Sequence, residues 1–174
     1  MKTAILLILV TTVFAQNQAV DVKTSISVNT LILYSVDLLD TSSAEYTTQS
    51  ANIRAIFEAD LKTVASDKSM TFESTTVIFI ENSGSTDCTV DVLYTVSLPE
   101  SEDLSAYAID VNNSVGTAVN TAIASSDGTY MSTTAKPVVS SSAVAAKTTT
   151  AVPTTVAAGI TTDGTTFTIT HFSS

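Results

Sequence analysis

The sequence predicts an α+β fold, in which two helices cover one face of a four-stranded antiparallel sheet in the order βαββαβ. Two long stretches alternate apolar and polar residues, which is the period of a half-buried strand. Two other stretches repeat apolar residues at spacings of three and four, which is the period of an amphipathic helix. Turn-forming residues separate these stretches and set their order.

The first strand is predicted from residue 26 onward, where apolar residues alternate with small polar ones. The alternating set is Ile26, Val28, Ile32, Tyr34, Val36 and Leu38. A half-buried strand over part of this run is expected. Thr41, Ser42 and Ser43 then offer N-caps for a helix. Its apolar stripe consists of Tyr46, Ile53, Ile56, Phe57, Leu61 and Val64.

A hairpin is predicted to follow this helix. Residues 70–81 are rich in β-branched and aromatic types, and turn-forming residues occupy 82–85. Alternation resumes from Cys88 to Leu98, and Pro99 ends the strand because proline cannot donate to a ladder. Two strands joined by a short loop that contains glycine are typical of a hairpin.

A second helix is predicted to begin at Ser101-Glu102-Asp103 and to run to about Ser125. Its apolar stripe consists of Leu104, Ala108, Val111, Val115, Ala118 and Ala122. Asp127-Gly128 is a stop and turn signal. The last strand is predicted at Tyr130–Val139, restricted to a sheet edge by Pro137. The segment Thr166–Phe172, with Phe167 and Ile169 on one face, is the competing candidate.

The two ends of the chain differ in composition from the middle. Residues 1–15 combine Lys2, an apolar run and the small-residue pattern Val13-Phe14-Ala15, which predicts a secretory signal peptide cleaved ahead of Gln16. Residues 140–174 are rich in Ser, Thr, Ala and Val with few charges, which predicts a disordered, mucin-like tail that is a candidate for O-glycosylation. No later segment resembles a membrane anchor, so an extracellular, unanchored protein is expected.

Residues 22–139 resemble the SEA domain, a module of membrane mucins and of other secreted or cell-surface glycoproteins. The resemblance rests on the spacing of Tyr46, Ile53, Phe57 and Leu61, and on the alternating segment 89–96, Thr-Val-Asp-Val-Leu-Tyr-Thr-Val. It implies a ferredoxin-like sandwich, the fold that the order of elements also predicts.

Some SEA domains cut their own backbone at a Gly-Ser bond in the hairpin, so the resemblance makes Gly84-Ser85 a candidate cleavage site. Alignment on Val90 instead puts Cys88-Thr89 in that place. The residues after Ser85 lack the family's immediate apolar run, and the competing interpretation is that Gly84 supplies a permissive turn.

Two further residues are candidate modification sites. Asn112-Asn113-Ser114 fits the N-glycosylation sequon at Asn112. Cys88 is the only cysteine, and it lies on the apolar face of a predicted strand. A buried, unpaired thiol is the preferred interpretation, and an intermolecular disulfide that makes a dimer is the alternative.

Composition argues against several functions. Seventeen acidic against seven basic residues give a net charge of −10, which would repel nucleic acid. The only histidine, His171, lies in the predicted tail, so no catalytic triad, metal site or cofactor is expected. The sequence therefore predicts a secreted, non-enzymatic glycoprotein of matrix, mucus or surface coat. One alternative is a soluble ligand or inhibitor that binds another extracellular protein through its exposed sheet face or hairpin, and a glycan partner is left open. The other is a domain that cleaves itself at Gly84-Ser85.

Overall fold

The computed structural model of the protein describes residues 16–83 and 85–146. The chain forms strand β1 (Asn17–Leu33), helix α1 (Ala44–Asp67), strands β2 (Thr71–Asn82) and β3 (Ser85–Pro99), helix α2 (Leu104–Ser125) and strand β4 (Val138–Ala145). A 3-10 turn at Val36–Leu39 connects β1 to α1. The predicted α+β class, with two helices packed on a four-stranded antiparallel sheet, is confirmed.

The strands lie in the order β2-β3-β1-β4, and each neighbouring pair is antiparallel. β1 and β3 form the centre, where Val20 lies opposite Val96 and Ile26 lies opposite Val90. Helix α1 packs over β2, and α2 packs over β4 and against α1. The two sheet edges, β2 and β4, therefore each lie beneath a different helix.

β1 begins and ends earlier than its apolar pattern predicted. Residues 17–21, which precede the predicted start of the domain at Val22, pair with β3. After Leu33 the chain leaves the sheet, and the side chain of Ser35 accepts a hydrogen bond from Asp37 N to cap the 3-10 turn. Leu38 still reaches the core, from this turn rather than from a strand. An alternating pattern alone did not show where pairing stops.

Helix α1 begins at the last of its three predicted caps. The Ser43 hydroxyl accepts a hydrogen bond from Tyr46 N, which satisfies one of the free donors of the first turn. The predicted stripe is buried at Ile53, Phe57, Leu61 and Val64, and is partly buried at Tyr46 and Ile56. The helix periodicity therefore predicted the face that packs on the sheet.

Helix α2 begins directly after its predicted N-terminal signature, Ser101-Glu102-Asp103, and the last of these residues is the cap: Asp103 Oδ1 accepts hydrogen bonds from Ser105 N and Ala106 N. Val119 and Ile123, which the predicted stripe omitted, are buried as well. Gly128 adopts a φ of 74°, a conformation that favours glycine, so the Asp127-Gly128 turn signal is confirmed.

The last strand is where the prediction was wrong. β4 is Val138–Ala145 rather than Tyr130–Val139. The chain before it crosses the end of the sheet, where Leu31 N donates to Tyr130 O and the Met131 side chain is fully buried. Residues 140–145, which were assigned to the tail, therefore belong to the sheet. The competing segment, Thr166–Phe172, lies outside the described residues.

One face of the sheet is buried against the helices, and the other, the open face, is exposed to solvent. On β1 and β3 nearly every second side chain is buried against the helices, as the alternation predicted. The open face instead carries hydroxyls and carboxylates that pair across the strands: Ser25 Oγ donates to Asp91 Oδ1 over 2.5 Å, and Ser27 lies 3.2 Å from Thr89. This polar open face explains how a sheet covered on one side only is compatible with water.

Candidate functional site

The predicted cleavage site lies at the tight turn of the β2–β3 hairpin. Asn82 and Ser85 are a cross-strand pair, so only residues 83 and 84 connect the two strands. The Ser85 hydroxyl donates a hydrogen bond to Asn82 O over 2.8 Å. Nearby, the Asp87 carboxylate accepts from Asn29 Nδ2 at 2.6 Å and from Asn82 Nδ2 at 2.9 Å. The hydroxyl is thus engaged in a hydrogen bond within the hairpin, and the neighbouring carboxylate is engaged in hydrogen bonds with the hairpin and with β1. Gly84 lies outside the described residues.

Cys88-Thr89, which the alternative alignment places at the cleavage position, lie within strand β3 and not at the hairpin turn. Cys88 lies opposite Val28 on one side and Phe79 on the other, and Thr89 lies opposite Ser27 and Ile78. Both residues are therefore in the middle of a central strand. The reaction would need a strained turn, and neither of these two residues lies in a turn.

The thiol of Cys88 is buried in the core, with 1% of the residue exposed. Burial raises its pKa to about 12, and the charge of Asp87 adds to the shift. A thiol that is both inaccessible and protonated is a poor nucleophile for disulfide exchange. The structure therefore agrees with the buried-thiol interpretation, and a disulfide through Cys88 would require the sheet to open.

Asn112, the sequon residue, lies in the middle of α2 and is half-buried. Its Oδ1 atom is buried without a hydrogen-bond partner among the described residues. The sequon hydroxyl, Ser114 Oγ, donates to Asp110 O within the helix. Asp110 also forms an ion pair with Lys68 at the end of α1. The flank of α2 that carries Asp110 therefore faces α1. By helical spacing, Asn112 lies on the opposite flank, together with Ile109 and Gly116.

A group of exposed apolar side chains lies at the end of the sheet where β1 leaves it and β2 turns into β3. We call it the hairpin-end surface, and it consists of Leu31, Leu33, Val36, Leu39, Ile78 and Ile80. Leu33 is 79% exposed and Val36 is 71% exposed. Among the described residues, most of the large apolar side chains that remain exposed belong to this surface, which makes it the strongest candidate for a functional site.

The register of the hairpin decides which apolar residues of β2 are exposed. Val77 and Phe79 lie opposite Val90 and Cys88 and point to the core. Ile78 and Ile80 therefore point to the open face. Because residues 77–80 are all apolar, the sequence did not show which pair would be buried. The sequence therefore predicted the exposed sheet face or the hairpin as the place of a binding surface, but not the apolar residues that form it.

Carboxylates border the hairpin-end surface. Asp37 and Asp40 lie at the 3-10 turn, and Asp87 lies opposite Ile80 on the open face. The Ser42 hydroxyl, followed by the Ser42 N–H, lowers the pKa of the Asp40 carboxyl by donating hydrogen bonds to it. Asp40 is therefore ionised at neutral pH, and the surface combines apolar side chains with a negatively charged border.

Other candidate sites have weaker support. Shallow grooves between α1 and α2 are lined by hydroxyls and by carboxylates such as Asp60, Asp67 and Asp127. In residues 16–83 and 85–146 there is no group of three or more His, Cys, Asp or Glu side chains placed to hold a metal ion. Within the same part of the chain, no helix has the length and apolar character needed to cross a membrane.

Comparisons of the chain with protein-family models, with curated proteins and with solved structures find no match. The SEA resemblance therefore rests on the spacing of residues alone.

Proposed function

We propose that this protein is a secreted, non-enzymatic glycoprotein of an extracellular matrix, mucus layer or surface coat. Its folded module would be ferredoxin-like and related to SEA domains, and its C-terminal residues would form a Ser/Thr-rich tail. Without Lys2 the chain has six basic against 17 acidic side chains, a formal charge of −11. Such a charge, together with attached glycans, keeps a coat protein hydrated and dispersed.

The observation that carries the proposal is the place where the sheet begins. β1 starts at Asn17, just beyond the predicted cleavage ahead of Gln16. Asn17 pairs with Pro99, and Gln16 O accepts a hydrogen bond from Glu100 N. Removal of residues 1–15 would therefore leave all of these contacts in place, as expected of a leader that is separate from the module it exports.

The ferredoxin-like assignment is supported by the strand order. In that fold the first and third strands are central neighbours, and each helix crosses over from a central strand to an edge strand. β1 and β3 are central here, α1 connects β1 to the edge strand β2, and α2 connects β3 to the edge strand β4. The SEA relationship is the more specific proposal, and its support remains the residue pattern of α1 and β3.

The glycan assignment concerns Asn112. The flank of α2 that carries it has free space, because a Cβ atom added at Gly116, one turn away, would meet no atom within 4 Å. A sugar attached to Asn112 Nδ2 would extend from this flank and leave the core contacts of Val111 and Val115 unchanged. N-linked glycans are added to unfolded chains, so the helix does not block the transfer itself.

Expression of the whole coding sequence in a secreting eukaryotic cell tests the proposal. We expect the chain in the medium, beginning at Gln16, with a mass above that of the polypeptide which falls on glycan removal. Asn112→Gln should lose the N-linked part of that mass, whereas Asn113→Gln keeps the sequon at Asn112 intact and serves as the control. Retention of residues 1–15, or a secreted chain without any glycan, would contradict it.

The hairpin-end surface favours a second candidate function, the binding of another extracellular protein. Its apolar residues and carboxylate border fit a partner that presents an apolar patch edged by Lys or Arg. Such a partner would bury Leu33 and Val36 while pairing its cations with Asp37 and Asp40. Association should then be faster at low salt, because exposed charges are screened at high ionic strength.

Affinity purification from the surrounding extracellular fluid tests the second candidate, with the wild-type chain and Leu33→Asp as bait. Leu33→Asp keeps the strand but places a charge in the apolar surface. Thr71→Asp adds the same charge at an exposed position of β2, at the end of the sheet away from the hairpin, and is the matched control. We expect a partner that the wild-type and Thr71→Asp chains retain and that Leu33→Asp loses. Equal retention by all three would contradict binding through this surface.

A further inference from the structure

The two edges of the sheet differ in how they are protected against pairing with another strand. Edge strands are commonly shielded by charges, bulges or proline. β2 has an irregularity between Phe72 and Ser74, and it carries Glu73 and Glu81. β4, Val-Val-Ser-Ser-Ser-Ala-Val-Ala, carries no charge and pairs with β1 in unbroken register. Pro137 precedes β4 but lies outside it.

The main-chain groups on the outer side of β4 can be assigned from its pairing with β1. Ala146 N donates to Ala19 O over 2.8 Å, and Val20 lies opposite Ala145. In an antiparallel ladder alternate residues bond to each neighbour, so Val144, Ser142, Ser140 and Val138 bond to β1. Val139, Ser141 and Ala143 consequently direct their N–H and C=O groups away from the sheet, where the described chain offers them no strand.

The side chains of β4 are arranged symmetrically about Ser141. Val138 is 70% exposed and Val144 is 62% exposed, both on the open face, and each is three residues from the centre. If two copies of β4 pair antiparallel about a two-fold axis at Ser141, Val138 of each copy lies opposite Val144 of the other. Ser140 then lies opposite Ser142, and Val139 lies opposite Ala143. Each exposed valine is thereby covered by its counterpart.

The helix above β4 supports the same arrangement. On the flank of α2 that points away from α1, Ile109 is 63% exposed and Gly116 leaves open space. A second copy joined at β4 would bring its own α2 to this flank, since the two-fold axis keeps both helices on the same side of the combined sheet. Two identical flanks with a small residue near their middle can approach closely.

We infer that β4 is a homodimer interface, through which two copies of this chain join edge to edge in the register centred on Ser141 to form one eight-stranded sheet. The occupant is a second copy because the edge matches itself: its exposed valines pair in this register, and it carries no charge that would repel an identical strand in a protein of net charge −10. Main-chain hydrogen bonds supply the affinity, as in other strand additions. The inference does not depend on secretion, but it applies to the chain without a sugar at Asn112, because that sugar would occupy the flank of α2 that the second copy approaches.

Sedimentation equilibrium of the full, unglycosylated chain over a range of concentrations tests the inference. Wild-type protein should show a monomer–dimer equilibrium. Ser140→Lys with Ser142→Lys should shift it to monomer, because four lysines would face one another across the interface. Ser140→Glu with Ser142→Lys should restore the dimer, because the glutamate introduced in each copy then lies opposite the lysine introduced in the other. This restored dimer should weaken as salt is added.

The matched control is Ser74→Lys with Thr76→Lys, which adds the same charge to the same face at the opposite edge. It should leave the dimer unchanged. Circular dichroism and thermal unfolding establish that each variant is folded, since all four positions are exposed. A wild-type chain that stays monomeric at every concentration overturns the inference. The inference is also overturned if the Ser140→Lys, Ser142→Lys variant still dimerises, or if the Ser74→Lys, Thr76→Lys variant becomes monomeric.

Discussion

The hydroxyl of Tyr46, in the first turn of α1, donates a hydrogen bond to the main-chain carbonyl of Val77 in the edge strand β2, over 2.7 Å. The ring of Tyr46 also meets the ring of Phe79 edge to face, with centroids 5.8 Å apart. One side chain therefore joins the start of a helix to a sheet edge through both a polar and an apolar contact.

Tyr46→Phe should lower the free energy of unfolding by about 1 kcal/mol, because it removes the hydrogen bond and keeps the aromatic packing. Urea denaturation measures the change. Tyr34→Phe, at a tyrosine in the link between β1 and the 3-10 turn, controls for the loss of a hydroxyl and should leave the midpoint nearly unchanged. Equal effects of the two substitutions would contradict the role given to the Tyr46 hydroxyl.

Tyr94→Phe should change the free energy of unfolding in the opposite direction. Tyr94 is fully buried on β3, and its hydroxyl has no hydrogen-bond partner among the described residues. A buried polar group without a partner loses its hydration and regains nothing, so removing it should raise the free energy of unfolding by about 1 kcal/mol. Packing of the ring against Phe72 is retained. A clear loss of stability in the same denaturation assay would show that the hydroxyl is satisfied.

Stability should fall at alkaline pH through the thiol of Cys88. Burial raises its pKa from 9.0 to about 12, so the unfolded chain releases this proton at a lower pH than the folded chain does. The thiol's contribution is therefore fully present below pH 9.0 and is lost as the pH rises toward 12. Between pH 9.0 and about 12 the free energy of unfolding should therefore fall by up to about 1.4 kcal/mol per pH unit.

The comparison for this pH effect is Cys88→Val in a Tyr94→Phe background, since burial also raises the pKa of Tyr94. Denaturation midpoints across the alkaline range should fall less steeply in the variant without the thiol. Parallel curves would mean that Cys88 ionises freely in the folded protein.

Ser85→Ala should leave the polypeptide uncut, as in the wild type. The Ser85 hydroxyl donates to Asn82 O, and Cys88 and Thr89 lie within a paired strand. Intact mass under denaturing, non-reducing conditions should give one chain for both proteins, at the mass of a monomer because Cys88 is buried. Two fragments that meet between residues 84 and 85 in the wild type alone would instead assign self-cleavage to this bond.

Local sequence determined the helices and the central strands. Ser43 and Asp103 are caps whose side chains bond to the first free N–H groups, an interaction that needs only neighbouring residues. β1 and β3 alternate cleanly because one face is apolar and the other polar. Such patterns fix which side of an element is buried before any partner is known.

The position of β4 and the choice of which face of β2 is exposed depended on tertiary structure. These two features in turn produce the candidate surfaces. β4 is composed of small and β-branched residues that bury little, so its place depends on pairing with β1 beneath α2. Ile78 and Ile80 are as apolar as Val77 and Phe79, and only the register with β3 exposes them. Sequence therefore determined the elements whose faces differ in polarity, whereas the fold decided those whose two faces are alike, because their burial depends on a partner strand distant in sequence.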